Sequence, residues 1–255
     1  GRDAALRTRI IALFRARVWR DLRSWKPWTA LSRQRAALLP LFREALAERR
    51  AAPGAHEDLL ARLAAARDAD GAPLSDEEII DQVMMLTITA GDAVAVAAAW
   101  GLARLAGAPA VQSHLHDAAD AAYLDAVCKE TLRLHPVLPT VSGRKIACPT
   151  AVMGHRIDAG VTLAPCEYLV HRRADLFEDP LAFRPERFLD RSYPPHAYFP
   201  FGGADRACLG GALAPMTVRG VMAAAVEAAR LESLSDAPPR VVRQGTLLAP
   251  DEDHA

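Results

Sequence analysis

The feature that most constrains this chain is a glycine-rich loop, residues 201–210, which delivers Cys208 to an alanine-rich run predicted to be helical over residues 209–230. A thiol at a helix N-terminus faces unpaired backbone N–H groups and the positive end of the helix dipole, and both stabilise the thiolate. The loop therefore predicts an electron-rich sulfur. The competing interpretation is a buried structural cysteine in a glycine-rich turn, because free cysteine usually behaves as a small apolar residue.

An electron-rich thiolate is a good axial ligand for haem iron, where it favours cleavage of an O–O bond. Glycines in the loop would let the backbone approach a flat macrocycle closely. Arg206, two residues before the cysteine, is placed to meet a haem propionate. Pro215 disturbs the helical run, because proline is comfortable only in the first turn of a helix. The helix is therefore expected either to begin near residue 214 or to be kinked.

Composition narrows the class of protein. The chain has 255 residues, 51% of them hydrophobic, which is enough for one large domain. A net charge of zero argues against a nucleic-acid binder, which needs an excess of Lys and Arg. The four cysteines contain no C-x-x-C pair, which favours a reducing, cytoplasmic location. No signal peptide and no flavin or nicotinamide motif is recognised in the sequence.

The N-terminal part reads as a series of helices. Residues 3–24 place apolar residues between arginines, which predicts a basic amphipathic helix. It is either a surface helix over the core or a targeting or membrane-surface helix. Further helices are expected at 32–50 and 58–69, with a linker at 51–54. The acidic residues 251–253 are expected to be disordered.

A capping box at Ser75-Asp76-Glu77-Glu78 starts a long apolar helix that reaches about residue 106. Its length admits a membrane span, but Asp92 lies near the middle, where a charge in lipid costs roughly 2.5–3.5 kcal/mol. A helix buried all round in a protein core is therefore expected. A carboxylate in such a helix is either functional or a structural buried acid.

Three stretches in order carry a family resemblance: Glu130-x-x-Arg133 followed by His-Pro, Phe183-Arg184-Pro185-Glu186-Arg187-Phe188, and Phe201-x-x-x-x-Arg206-x-Cys208-x-Gly210. Glu130 and Arg133 are three residues apart and hence on one helix face, and alone they would be a surface salt bridge. Together the stretches resemble the signatures of the cytochrome P450 family over roughly residues 55–250. One departure is Ala204, where the family usually has glycine, and a methyl group there is expected to crowd the loop or to shift the haem.

The resemblance implies a mainly α fold with small β-sheets, a cytochrome P450-like fold lacking its N-terminal part. It implies one partial domain, with pocket-roof helices at 1–54, a haem-binding core at 55–250 and an acidic tail at 251–255. Strands are expected near 137–140, 144–147 and 151–163, with a terminal hairpin at 238–248.

The resemblance also implies roles for individual residues. Cys208 would ligate the iron of haem, with Phe201 beside the thiolate and Gly202 and Gly210 in the same loop. Arg144 and Arg206 would hold propionates, although a solvated strand arginine is the alternative for Arg144. Glu130, Arg133 and Arg187 would form a buried structural group. The implied substrate pocket is lined by Met85, Leu86, Thr89, Ala93, Leu138, Val141 and Leu247.

On the distal side, the family uses an acid followed by threonine to relay protons. Setting Trp100 against the family's tryptophan aligns residues 89–93 with that motif, which keeps Asp92 and replaces the alcohol with Ala93. Aligning residues 90–91 directly loses both groups. A substrate hydroxyl, Thr87, Thr89 or an ordered water would then have to substitute.

The implied reaction inserts one oxygen atom from O2 into a small apolar substrate, with electrons from a separate ferredoxin- or flavodoxin-type partner. No nucleic acid and no membrane span are expected. Two alternatives stay open: a truncated, non-catalytic remnant, and a haem-thiolate enzyme that uses peroxide or performs a rearrangement. His171 is assigned a structural role, and His114, His116, His155 and His196 have no metal-ligand partners at useful spacing.

Overall fold

Helices dominate the part of the chain that the computed structural model describes, namely residue 8 and residues 30–118, 120–235, 237 and 239–251. Apart from residue 8, the basic helix predicted over residues 3–24 lies outside these ranges, as does the tail beyond residue 251. The chain divides into two compact units, residues 1–92 and 93–255. The single domain expected from the sequence stays a prediction.

Helices make up most of the described part of the first unit. Leu38 and Phe42 of its first described helix pack against Ile80 and Met84 of the third, and all four are buried. The helix expected over residues 58–69 ends at Ala65 because Ala66 is extended. The described helices are α1 (Ala30–Ala51), α2 (Leu59–Ala65) and the N-terminal part of α3 (Asp76–Ala106).

Helix α3 begins with the predicted capping box. The backbone N–H of Glu78 donates to Ser75 Oγ at 3.3 Å, and the backbone N–H of Ser75 donates to Glu78 Oε2 at 2.9 Å. These reciprocal bonds satisfy two of the donors that a helix start leaves unpaired. The start of α3 was therefore predicted correctly from sequence.

The burial of α3 differs from the expectation. Among the helices that the structure describes, α3 is the one long and apolar enough to cross a membrane, yet only 28% of its most apolar window is buried. Asp92 is half-buried rather than enclosed. The prediction of a helix buried all round is wrong. A single helix of this kind is weak evidence for a membrane span.

In the second unit, the C-terminal part of α3 packs with two other helices around a core that includes Val127 and Val218. At Gly101 an added Cβ would lie 2.7 Å from Met222 Sδ, so the glycine permits a close approach of two helices. The further helices are α4 (Pro109–Ala118), α5 (Ala121–Leu134), α6 (Glu167–Val170), α7 (Arg187–Asp190) and α8 (Leu213–Ala228).

Three small antiparallel sheets complete the described fold, each a pair of strands, as the mainly α prediction requires. Residues 137–140 form no strand, contrary to expectation, and Pro139 explains this because it has no N–H to donate to a ladder. The pairs are β1 (Arg144–Lys145) with β4 (Thr162–Leu163), β2 (Thr150–Val152) with β3 (His155–Ile157), and β5 (Val241–Gln244) with β6 (Leu247–Pro250).

The terminal hairpin β5–β6 is fastened to α3 through Trp100. Its indole Nε1–H donates to the carbonyl of Leu248 at 2.8 Å, and its ring stacks on His135 with centroids 3.7 Å apart. Arg104 Nε donates to His135 Nε2 at 2.7 Å. Burial and the neighbouring Arg104 charge lower the pKa of His135 to about 2, so the imidazole is a neutral acceptor.

The predicted buried group of Glu130, Arg133 and Arg187 is present. Glu130 and Arg133 are 0% exposed and Arg187 is 8% exposed. Arg133 donates two parallel hydrogen bonds to the Glu130 carboxylate, Nε to Oε2 at 2.7 Å and Nη2 to Oε1 at 2.8 Å. Arg187 Nε donates to Glu130 Oε1 at 3.1 Å, and the backbone N–H of Arg184 donates to the same oxygen at 2.9 Å.

The remaining donors of the two arginines bind main-chain carbonyls, so the group holds irregular backbone in place. Arg133 donates to the carbonyls of His171, Pro180 and Ala182. Arg187 donates to those of Glu178 and Asp179. The loop between α6 and α7 is thereby tied to α5 by charge-assisted hydrogen bonds.

Replacing Glu130 with Gln should destabilise the chain by roughly 3–5 kcal/mol, because it leaves two buried guanidinium groups without their counter-charge. Urea unfolding would measure the change. Asp158→Asn is the matched control, since Asp158 is 71% exposed in its ion pair with Arg156 and its loss should cost under about 1 kcal/mol. Equal effects of the two substitutions would contradict the structural role of the buried group.

Candidate haem-binding site

The loop that carries Cys208 is closed by its own backbone. The N–H of Cys208 donates to the carbonyl of Phe201 at 2.9 Å, and the N–H of Gly202 donates to the carbonyl of Phe199 at 2.9 Å. A short 3-10 turn, Ala204–Arg206, lies between them. Cys208 is exposed and its thiol is free, so the loop presents an accessible sulfur.

Glycines allow the loop to turn and leave parts of its backbone uncovered by side chains. Gly202 has φ +68°, a left-handed conformation that favours glycine, and an added Cβ would lie 3.6 Å from Val141 Cγ1. A Cβ at Gly210 would lie 3.7 Å from Cys208 Sγ, and one at Gly203 would meet nothing within 4 Å. The backbone at Gly203 is therefore accessible to a flat ligand.

Ala204 occupies a conformation made for glycine. Its φ is +52°, which brings the Cβ of an L-residue close to the following carbonyl at a cost of roughly 1–2 kcal/mol. The methyl group of Ala204 therefore causes backbone strain inside the loop, four residues before the cysteine.

The two arginines predicted to hold propionates are both exposed. Arg144 lies on β1 opposite Leu163, and its Nη1 donates to the carbonyl of Ser142 at 2.5 Å. Arg206 ends the 3-10 turn, two residues before the cysteine. Neither has a carboxylate partner among the described residues, so both guanidinium groups are available to a dianionic ligand.

The start of helix α8 decides between the two alternatives set by Pro215. The helix begins at Leu213, five residues after Cys208, so the expected start near residue 214 is confirmed and a helix running from residue 209 is not. Pro215 then falls in the first turn, where its missing N–H costs nothing. The prediction that Cys208 stands directly at a helix N-terminus is wrong, and the amide groups nearest the sulfur belong to a turn.

The sequence matches a model of the cytochrome P450 family over residues 7–254. The chain belongs to the cytochrome P450 family. Cytochrome P450 135B1 of Mycobacterium tuberculosis is 33% identical over 98% of this chain and 56% of its own length. Cytochrome P450 137 of the same organism is 31% identical over 91% of this chain and 49% of its own length.

Solved structures agree with the P450 fold. Cyanobacterial CYP120A1 with retinoic acid bound superposes with a TM-score of 0.82 at 25% identity, covering 96% of this chain and 62% of that one. The heme domain of cytochrome P450DA gives 0.79 at 21% identity, covering 96% and 59%. The chain spans about half the length of the curated P450s that it matches.

Cytochromes P450 bind haem, iron protoporphyrin IX, and the loop fits that group. In the described ranges no three His, Cys, Asp or Glu side chains cluster as a metal site. A lone accessible thiol suits an iron whose other ligands come from a porphyrin. The open glycine backbone and two available guanidinium groups suit the macrocycle and its propionates.

The distal residues implied by the P450 resemblance belong to α3. Asp92 is half-buried and engaged with a partner. The hydroxyls of Thr87 and Thr89 donate to the carbonyls of Val83 and Met85, both at 2.7 Å. Their protons are therefore bonded to the helix backbone, and the role of Asp92 stays a prediction.

The residues expected to line the substrate pocket are distributed over both units. Met85 is exposed and Leu86 half-buried in the first unit, where Thr89 also lies. In the second unit Val141 is half-buried beside Gly202, and Leu138 is 41% exposed. Leu247 is buried against Val96 and Trp100, and Ala93 is half-buried on α3. Their grouping around one substrate stays a prediction.

Sequence reasoning missed Glu167. It opens α6 and is 2% exposed, and burial raises the pKa of its carboxyl to about 8. The signal was an acidic residue inside the apolar run 161–170. The structural role assigned to His171 is confirmed, because its Nε2 accepts the backbone N–H of Phe199 at 3.0 Å.

Replacing Ala204 with Gly should stabilise the chain by about 1 kcal/mol, because relief of the left-handed strain exceeds the added entropy of the unfolded chain. Ala207→Gly is the control. Ala207 has φ −56° and no strain to relieve, so this change should destabilise by about 0.4–1 kcal/mol. Urea unfolding measures the change in the free energy of unfolding for both variants. If Ala204→Gly does not stabilise the chain, strain at Ala204 is contradicted.

Proposed function

We propose that this chain is the cysteine-bearing portion of a haem-thiolate monooxygenase that inserts one oxygen atom from O2 into a small apolar substrate. The observation that carries the proposal is the accessible Cys208 in an open glycine loop. Family membership supports a P450-type oxidoreductase. Because the chain covers 56% of the length of its first curated relative, its own activity is part of the proposal.

Each residue of the loop has a task in the proposed enzyme. Cys208 would supply a thiolate to iron, and Phe201 would pack beside it and exclude water. Arg144 and Arg206 would fix the propionates by charge-assisted hydrogen bonds. Bound haem would supply the oxygen-activating chemistry that a thiolate ligand favours. Asp92 is the candidate for holding a proton on the distal side.

The proposed substrate is apolar, which the side chain of Val141 beside Gly202 supports. CYP120A1, similar in fold, is described with retinoic acid bound, a largely hydrocarbon ligand. Electrons would come from a separate ferredoxin- or flavodoxin-type partner. A cytoplasmic location is supported by the four free cysteines.

Spectroscopy of the reduced carbon monoxide complex tests the thiolate. The haem-loaded chain should give a strongly red-shifted Soret band, because the thiolate donates electron density to the iron. Cys208→Ser should abolish that band. The matched control is Cys148→Ser, since Cys148 is also a free, exposed thiol, and it should retain the band. Failure to take up haem, or retention of the band in the Cys208 variant, would support a non-catalytic remnant instead.

A second candidate, a haem-thiolate enzyme driven by peroxide, is favoured by the missing alcohol at Ala93. The hydroxyls of Thr87 and Thr89 are bonded to backbone carbonyls, so neither stands ready to deliver a proton. Peroxide supplies oxygen that is already reduced, and an enzyme using it needs no electron partner.

Introducing threonine at position 93 separates these two functions. In a monooxygenase lacking only its relay, Ala93→Thr should raise O2-dependent turnover with a reductase by roughly 10²–10⁴, the usual effect of a positioned proton donor. Ala90→Thr, on an exposed position of α3, should change nothing. A peroxide-driven enzyme would instead turn over without reductase, and Ala93→Thr would give it no gain with O2.

A further inference from the structure

Two buried polar atoms in and next to helix α6 have no hydrogen-bond partner within the described residues: Oε2 of Glu167 and Nδ1 of His171. Glu167 is 2% exposed and His171 is 0% exposed. A buried donor or acceptor left unpaired is costly, and such groups are few in native structures. Two unpaired buried atoms within five residues indicate that the two side chains are related chemically.

The hydrogen bond at Nε2 determines whether Nδ1 of His171 carries a proton. Nε2 accepts the backbone N–H of Phe199, so it carries a lone pair. Burial, with the charges of Arg133 and Arg172, lowers the pKa of His171 to about 4, and the ring is neutral near pH 7. A neutral imidazole with Nε2 as acceptor has its proton on Nδ1. His171 therefore offers a buried donor.

Glu167 lies one helical turn before this donor. The backbone N–H of His171 donates to the carbonyl of Glu167 at 2.9 Å, which places the two side chains on the same face with Cβ atoms roughly 5–6 Å apart. The charged groups packed near His171 are Arg133 and Arg172, and arginine can only donate. On that face, the carboxyl of Glu167 offers an acceptor of complementary chemistry.

We propose that Glu167 is a positioning residue whose carboxyl accepts the Nδ1–H of His171 and thereby fixes the tautomer that holds the backbone of Phe199. A rotation of the Glu167 side chain closes this bond. The arrangement has the form in which a carboxylate orients a histidine from behind, as in many metal sites, although here the imidazole holds a backbone amide.

The consequence reaches the cysteine through main-chain hydrogen bonds. His171 holds the N–H of Phe199, the carbonyl of Phe199 holds the N–H of Gly202, and the carbonyl of Phe201 holds the N–H of Cys208. If the proton moved to Nε2, two N–H donors would face each other and the first of these bonds would break. The orientation of the loop therefore depends on Glu167, whether or not the chain carries haem.

Two substitutions separate positioning from simple packing. Glu167→Gln keeps a carbonyl that can accept the Nδ1–H, whereas Glu167→Leu keeps the volume and removes the acceptor. Amide hydrogen exchange of the full chain should show Phe199 exchanging roughly 3- to 10-fold faster in the Leu variant, the range set by loss of one net hydrogen bond. The Gln variant should stay close to the original chain.

The internal control is the amide of Val170, which donates to the carbonyl of Cys166 within α6. Its exchange should be the same in both variants, while ¹⁵N shifts of the His171 ring should report Nδ1–H in the original chain and a mixture of tautomers in the Leu variant. Equal acceleration of Phe199 and Val170 would overturn the proposal in favour of a packing role. So would a ring proton found on Nε2 in the original chain, a measurement that needs no variant.

Discussion

The contact between Glu130 and its two arginines is the interaction on which the second unit depends. Burying three charges carries a large desolvation cost, which is offset only where every donor and acceptor is satisfied. That condition is met around Arg133, whose five N–H bonds reach Glu130 and three carbonyls. One of these carbonyls belongs to His171, whose ring in turn holds Phe199 before the cysteine loop. The accessible thiol is therefore positioned by a network that begins at a buried carboxylate.

Short-range patterns in the sequence were sufficient to predict much of the buried charged group and of the cysteine loop. The spacing of Glu130 and Arg133 placed both on one helix face, and Ser75 with Glu78 marked a helix start by a local hydrogen-bond pattern. The glycines around Cys208 predicted an open loop because glycine alone adopts its turns without strain. Recognition of the family rested on three such stretches in order, and the family comparison confirms it.

What the sequence did not predict depends on neighbours that are distant along the chain or on exact helix ends. Helix α4 was not expected from the sequence, and it begins at Pro109, a position that proline favours. For α8, Pro215 left two alternatives open, a start near residue 214 or a kink, and the helix begins at Leu213 because residues 209–212 form turns. The half-buried state of Asp92 and the enclosure of Glu167 follow from tertiary packing, which no local pattern encodes.

The way Arg133 and Arg187 bind the loop between α6 and α7 has a consequence for how this segment can diverge. Both side chains bind carbonyl oxygens, which every amino acid carries, so these hydrogen bonds do not restrict the side chains of residues 178–182, although the φ of +46° at Asp179 disfavours most residues other than glycine. The path of the main chain has no such freedom, since one inserted or deleted residue would move the carbonyls out of register with the guanidinium groups. Variation among homologues in this segment should therefore consist of replacements at constant length.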